Sequence, residues 1–244
     1  MTFNTNSLGT LNVLETLRYL KKKCSVVLIT SDKSYKNLEI KRGYKETDLI
    51  GGNDPYSASK GCAELIIQSY IESYFKKNNK IFIAVGRAGN VIGGGDWSKD
   101  RLIPDCFKSW SKNKVSVIRN PYSTRPWQHV VEVIYGYILL ATKLSKNKKL
   151  HGQIFNFGPS YKKNYKVIEL LKFFKLEWNK CKWKIKKLKI NQKESVLLKL
   201  NSSKANKILK WKTTLSFKES LIYTLYWYKN YYLKKSKIIT FEQI

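Results

Sequence analysis

Residues 4–22 carry Leu8, Leu11, Val13, Leu14, Leu17 and Leu20 at three- and four-residue intervals, an apolar stripe that predicts an amphipathic helix. The pattern then changes. "SVVLIT" (25–30) is an unbroken, β-branched apolar run, which predicts a strand covered on both faces in a parallel sheet. Helical spacing returns over 57–77, and "IFIAVGR" (81–87) reads as a second buried strand. After a glycine-rich loop, the pattern predicts a helix over 102–112, a short strand over 115–118 and a helix over about 128–144. "QIFNFG" (153–158) reads as a strand, and helices are expected near 165–175, 203–209 and 216–233. In "CKWKIKKLKI" (181–190) Lys alternates loosely with Trp183, Ile185, Leu188 and Ile190, the signature of a half-buried strand with a solvated lysine face. Alternating helices and buried strands predict an α/β fold with a doubly wound parallel sheet.

Composition narrows the class. With 244 residues, 26% charged and 14% aromatic, the chain has the length and apolar content to close a core and does not resemble a disordered one. No apolar run reaches membrane-span length, and no basic segment leads into an apolar stretch at the N-terminus, so the reading is a cytoplasmic protein. Cys24, Cys62, Cys106 and Cys181 are widely separated and lack metal-ligand spacing, which predicts free thiols and no metal site.

The net charge of +30 adds a question of partners. Lysine supplies 41 of the 47 basic residues, and positions 141–244 hold 26 Lys, no Arg and 5 acids. A nucleic-acid surface would suit that charge, but readers of bases and phosphates favour the bidentate Arg fork, which is scarce here. The lysines therefore read as a solvated surface rather than a specific polyanion site.

Candidate chemistry begins where "VVLIT" runs into Ser31, Asp32 and Lys33, because ligands of open α/β sheets bind beyond the carboxyl ends of the strands. An adjacent acid and amine can donate and accept protons; alone, the tripeptide is equally a polar loop. Downstream, "DPYSASKGCAEL" places Tyr56 and Lys60 four residues apart, on one helix face, where an ammonium favours the phenolate. The spacing alone is uninformative, since Tyr19/Lys23 and Tyr231/Lys235 share it. Only Tyr56/Lys60 opens a helix just after a buried strand with its own polar triplet.

Taken together, "TSDKSY", "NDPYSASKGCAEL", "GRAGNVIGGGDWSKDRLIPD" and "RPWQHV" resemble the extended short-chain dehydrogenase/reductase family, and within it the nucleotide-sugar 4,6-dehydratases, most closely those acting on CDP-glucose. The resemblance implies a Rossmann-like sheet, here partial, with residues 1–90 as the dinucleotide-binding part. It implies a nucleotide-sugar-binding region over 91–244, of which about 128–158 packs back on the first part. It further implies NAD as cofactor, CDP-glucose as substrate and a role in deoxysugar synthesis. Tyr56 would take the sugar C4 hydroxyl proton, Lys60 would hold the phenolate and the nicotinamide ribose, and Ser31 would steady the C4 oxygen. Lys33 would remove the C5 proton and Asp32 would protonate the departing C6 hydroxyl. Arg87 is assigned to the cofactor, and Asn90, Arg101 and Arg125 to the nucleotide diphosphate, a task that suits Arg. Asn6 matches a family position near the active site, and helices 4–22 and 57–77 match those that pair in homodimers.

The family places about three βα units ahead of a helix like 4–22, the first with G-x-x-G-x-x-G, whose backbone amides meet the cofactor pyrophosphate. This sequence has no such motif. The expectation is a sheet with an interior strand left as an edge, weak NAD binding by the chain alone, and either a separate N-terminal chain that supplies the glycine-rich loop or a start that is misplaced or decayed. Competing readings are an inactive remnant that keeps a nucleotide-sugar pocket, another nucleotide-sugar dehydratase or epimerase, and a polyanion binder.

Overall fold

The computed structural model describes residues 1–159, 165–186 and 198–234. After a π-helical turn at Asn4–Leu8, the elements run α1 (Gly9–Arg18), β1 (Cys24–Ser31), α2 (Pro55–Tyr70), β2 (Ile81–Ala88), β3 (Val91–Ile92) and α3 (Leu102–Ser111). They continue as β4 (Ser116–Ile118), β5 (Thr124–Arg125), β6 (Gln128–His129), α4 (Val130–Lys146) and β7 (Ile154–Phe157). The last are β8 (Tyr165–Lys166), α5 (Val167–Glu177), β9 (Trp183–Ile185) and α6 (Phe217–Lys234). The chain divides into two compact units, Met1–Gly89 with Val133–Ser160 and Leu198–Thr213, and Asn90–Glu132 with Tyr161–Leu197 and Thr214–Ile244.

The first unit is built on a parallel sheet in the order β1-β2-β7, with Cys24 opposite Ile81 and Val85 opposite Ile154. Successive strand residues point to opposite faces, so each face has its own core. On one face Leu14 of α1 and Ile67 of α2 pack with Ile71, Phe75, Ile81, Ile83 and Val85. On the other lies α4: a Cβ at Gly86 would sit 2.7 Å from the Tyr137 ring, so the glycine makes the room that Tyr137 fills. Tyr137 meets Phe157 edge-on with centroids 5.3 Å apart, and Phe157 meets Trp211 likewise at 5.0 Å.

Two sequence expectations change here. Every residue of β2 is buried, but β1 is not covered on both faces: Ile29 is 58% exposed. Among the described residues β1 pairs only with β2, so the apolar run of an interior strand forms a sheet edge. The segment expected as a helix near 203–209 is one π-helical turn, Ala205–Leu209, closed by Lys210 in the left-handed region (φ 59°). It belongs to a stretch that returns to the first unit, where Tyr44 N–H donates to the Lys199 carbonyl (2.8 Å) and Gly158 N–H donates to Ser202 Oγ (2.8 Å).

The second unit has an aromatic core. Phe107 and Trp110 of α3, Phe174 and Trp178 of α5's end, and Tyr228 of α6 are all buried together. Phe107 and Tyr228 stack at 4.4 Å, and such pairs add about 0.5–1.5 kcal/mol to the burial of their area. Short strand pairs β3-β6, β4-β9 and β5-β8 frame it. The lysine-alternating segment is a strand at Trp183–Ile185, parallel to β4; its continuation over 187–190 lies outside the described residues. The helix expected from 128 starts at Val130, because Gln128 and His129 pair with β3.

Candidate active site

Strand β1 delivers its last residues into a tight 3₁₀ turn, Asp32–Ser34. Ser31 shapes that turn: its Oγ accepts from Lys33 N–H (3.2 Å) and donates to Asp32 Oδ1 (2.9 Å). Ser34 Oγ closes the turn by donating to the Ser31 carbonyl (2.7 Å). Asp32 is only 2% exposed, and its carboxyl group lies against the backbone of Gly89. A Cβ at Gly89 would fall 2.0 Å from Asp32 Oδ2, so any side chain there would displace the carboxylate. Lys33 is half-buried. Tyr137 is the neighbour that sequence reasoning missed: burial raises its phenol pKa, and the charge of Asp32 raises it further. Nothing in the sequence marks that contact, whereas a glycine directly after "IFIAVGRA" is a legible sign of close backbone approach.

Helix α2 begins with two strong start signals. Asp54 accepts from the N–H groups of Tyr56 and Ser57, both at 3.0 Å, and Pro55 occupies the first helical turn. Tyr56 therefore stands on the first turn, exposed, with Lys60 one turn on and half-buried. The Lys60 Nζ lies 5.9 Å from the Tyr56 ring centroid, and burial holds the Lys60 pKa below the usual lysine range. Ser59 Oγ donates to the Tyr56 carbonyl (2.7 Å) and accepts from Asn6 Nδ2 (3.0 Å), while Ser7 Oγ donates to the Ser59 carbonyl (3.1 Å). The segment ahead of α1 thus braces α2 between its two candidate residues, which is where Asn6 acts.

The two elements meet. Helix α2 packs on the Asp32–Ser34 turn. The Asp54 carboxyl is held below the usual carboxylate range, first by the Ser57 hydroxyl and backbone amide, and also by the positive charge of Lys33. The charge of Lys33 is thus felt at Asp54, the residue that caps the end of α2 carrying Tyr56. Ser31, Asp32, Lys33, Tyr56 and Lys60 all lie in the first unit, with Tyr56 23 positions after Lys33 in sequence. An acid, two amines and a phenol are the group types that can pass protons in either direction.

Arg87 is placed elsewhere. It is 0% exposed, and its Nε and Nη2 grip Glu64 at 2.7 and 3.1 Å. Its Nη1 donates to the Tyr35 hydroxyl (2.7 Å), and Thr30 Oγ1 donates to the same Glu64. Its donors are turned inward to Glu64 and Tyr35, so in this structure Arg87 braces β2 to α2. Asn90, Arg101 and Arg125 lie in the second unit. Asn90 is left-handed (φ 51°) and its carbonyl accepts from Gln128 N–H (3.3 Å). Arg101 precedes α3, exposed, with Asp96 at 3.7 Å; Arg125 in β5 donates to the Thr124 carbonyl (2.8 Å).

The chain is 43% identical over 234 residues to the CDP-glucose 4,6-dehydratase of Salmonella typhimurium, a match that spans 93% of this chain and 65% of that protein. It therefore spans slightly less than two thirds of that relative's length. Its fold matches the dTDP-glucose 4,6-dehydratase of Bacillus anthracis, solved in complex with NAD, with a TM-score of 0.76 at 20% identity over 93% of this chain and 68% of that one. The epimerase Mth375 of Methanothermobacter thermautotrophicus gives 0.80 at 23% identity, over 96% and 68%. The family profile described as GDP-mannose 4,6 dehydratase matches residues 1–223 of 244, and the chain belongs to that family.

Proposed function

We propose that this chain is the catalytic portion of a nucleotide-sugar 4,6-dehydratase, a lyase that converts CDP-glucose to CDP-4-keto-6-deoxyglucose and water in deoxysugar synthesis. The observation that carries the reading is the packing of the Asp32–Ser34 turn on α2, the helix whose first turn holds Tyr56. Tyr56 and Lys60 fit the nicotinamide ribose of NAD, because the half-buried ammonium beside the phenol is the pair that such a ribose needs. When bound, NAD supplies the temporary oxidation of the sugar and its reversal. The pyrophosphate half has no glycine-rich cradle in this sequence, and a separate N-terminal chain is the proposed source.

The chain's own residues do the proton work. Tyr56, as phenolate held by Lys60, takes the C4 hydroxyl proton while Ser31 steadies that oxygen. The resulting C4 carbonyl acidifies C5, and Lys33 removes the C5 proton. Asp32, as neutral acid, gives its proton to the departing C6 hydroxyl, which leaves as water. Asn90, Arg101 and Arg125 are proposed to hold the diphosphate. Exposed apolar residues on α1 and α2, among them Val13 and Leu65, support a homodimer, and the setting proposed is the cytoplasm.

Reconstitution tests the reading. With an N-terminal half supplied in trans, formation of the 4-keto product followed by NMR should fall about 10²-fold or more in Tyr56→Phe and in Lys33→Met. Unchanged turnover in either variant would refute the assigned roles. The lack of a glycine-rich motif favours a second reading, a remnant that binds CDP-glucose alone; calorimetric binding of the sugar nucleotide with no turnover on reconstitution would select it.

A further inference from the structure

The short turn that carries Asp32 and Lys33 is held from both sides by one buried ion pair. Register partners in a parallel pair point to the same face, so Thr30 of β1 and Arg87 of β2 stand side by side. Leu28 and Val85, two positions earlier, share that face and pack in the core formed with α2. Glu64 meets the pair from α2, one turn after Lys60, and is 0% exposed. Its Oε1 accepts from Thr30 Oγ1 and from Arg87 Nε (2.7 Å), and its Oε2 accepts from Arg87 Nη2 (3.1 Å). On the far side of the turn Tyr35 is equally buried. Its hydroxyl accepts from Arg87 Nη1 (2.7 Å) and donates to Asn156 Oδ1 (2.9 Å). Burial pushes the Tyr35 phenol up to about 12, so it keeps the proton that it donates.

Thr30 and Tyr35 are the residues that flank Ser31–Ser34. Bonds within the turn fix its shape: Ser31 Oγ accepts from Lys33 N–H (3.2 Å), and Tyr35 N–H donates to the Asp32 carbonyl (3.3 Å). Shape does not fix place. Apolar packing is non-directional and lets a turn slide on a helix, whereas hydrogen bonds to a guanidinium and a carboxylate hold their partners at set distances and angles. A buried polar network with satisfied members is rigid for that reason. Both flanks of the turn are bound to the same Arg87–Glu64 pair, and Glu64 belongs to the helix that carries Tyr56 and Lys60. Two hydroxyl groups outside the proposed chemistry therefore set where the turn stands relative to α2.

We infer that Thr30 and Tyr35 are positioning residues: through their hydroxyls the Arg87–Glu64 pair places the Asp32–Lys33 turn against the helix of Tyr56 and Lys60. The clamp follows from the fold, and its bearing on turnover rests on the proposed function. Thr30→Val and Tyr35→Phe each remove one hydroxyl and keep the ion pair, so both should retain the parent's circular dichroism. In the 244-residue chain, hydrogen exchange of the Lys33 and Tyr35 amides should quicken about tenfold or more in each variant, with the core amides of Ile83 and Val85 unchanged. Thr30→Ser keeps the hydroxyl and should exchange like the parent. Should Thr30→Val fail to fold, Tyr35→Phe decides. Turn amides at the parent rate, acceleration that spreads over β2, or no rescue by Thr30→Ser would overturn the inference. In the reconstituted assay kcat should fall about tenfold with KM for CDP-glucose unchanged. Parent kcat in a variant whose turn amides are quickened would also overturn it. A reconstituted parent without turnover, with exchange as expected, would sink the dehydratase reading and leave the clamp intact.

Discussion

Replacing Arg87 by Met tests whether this residue is a brace or a ligand contact. Both Arg87 and Glu64 have side chains with 0% exposure, joined by two hydrogen bonds of 2.7 and 3.1 Å. The substitution keeps an unbranched apolar stem but removes the guanidinium, leaving the Glu64 carboxylate buried with Thr30 as its remaining hydrogen-bond donor from this network. It also frees the Tyr35 hydroxyl from one of its two partners, Arg87 and Asn156. Breaking a buried pair by removing one member costs about 3–5 kcal/mol, because the remaining charge stays desolvated. Against a total stability of about 5–15 kcal/mol, that is a large fraction. With a urea m-value of about 2–3 kcal/mol/M, the midpoint should fall by roughly 1–2 M. Urea titration followed by far-UV circular dichroism reads this without any ligand. The double variant Glu64→Gln/Arg87→Met should recover part of the loss, since it buries no charge. A single variant within about 0.5 kcal/mol of the parent, or a double variant no more stable than the single, would refute the brace; a residue kept for a cofactor should leave the free protein's stability unmoved.

Two further expectations follow from buried contacts. Gly89→Ala would set a methyl 2.0 Å from Asp32 Oδ2, so the carboxylate must move by about 1 Å, a displacement that can cost about 10²-fold in turnover, with about 1–3 kcal/mol of overpacking; a reconstituted variant with parent kinetics would contradict the placement of Asp32. His129 is 3% exposed, neither ring nitrogen has a partner among the described residues, and burial lowers its pKa to about 4. Because the unfolded imidazole binds its proton near pH 6.5, stability should fall as pH drops from about 6.5 to 4, by about 3 kcal/mol in all, and level off below. In His129→Phe that increment should vanish, and parallel pH profiles of urea midpoints for parent and variant would exclude it.

Much of the site was readable because its signals are local. The strand "VVLIT" running into Ser31-Asp32-Lys33 and the Asp54-Pro55 start of α2 are short-range patterns, and the structure forms both. Arg87 shows the limit. In sequence it is one more scarce arginine in a matched segment, and only its encounter with Glu64, 23 positions earlier, reveals an inward ion pair. Tyr137 and Gly89 around Asp32 are equally non-local. The return of Leu198–Thr213 to the first unit depends on backbone bonds to Tyr44 and Gly158 that no periodicity encodes.

The sequence by itself determined the elements, because spacing and capping act within a few residues: apolar runs became strands, and Asp54 with Pro55 started a helix. It also held the residue types that proton transfer requires. Tertiary structure decided which groups meet and which faces are covered. Only folding brings the charge of Lys33 to bear on Asp54, turns Arg87 inward, and, among the described residues, leaves the hydrophobic strand β1 at an edge with Ile29 in the open. The physical reason is that burial and pairing are properties of neighbours distant in sequence, and β1 reads identically whether or not a strand lies beside it.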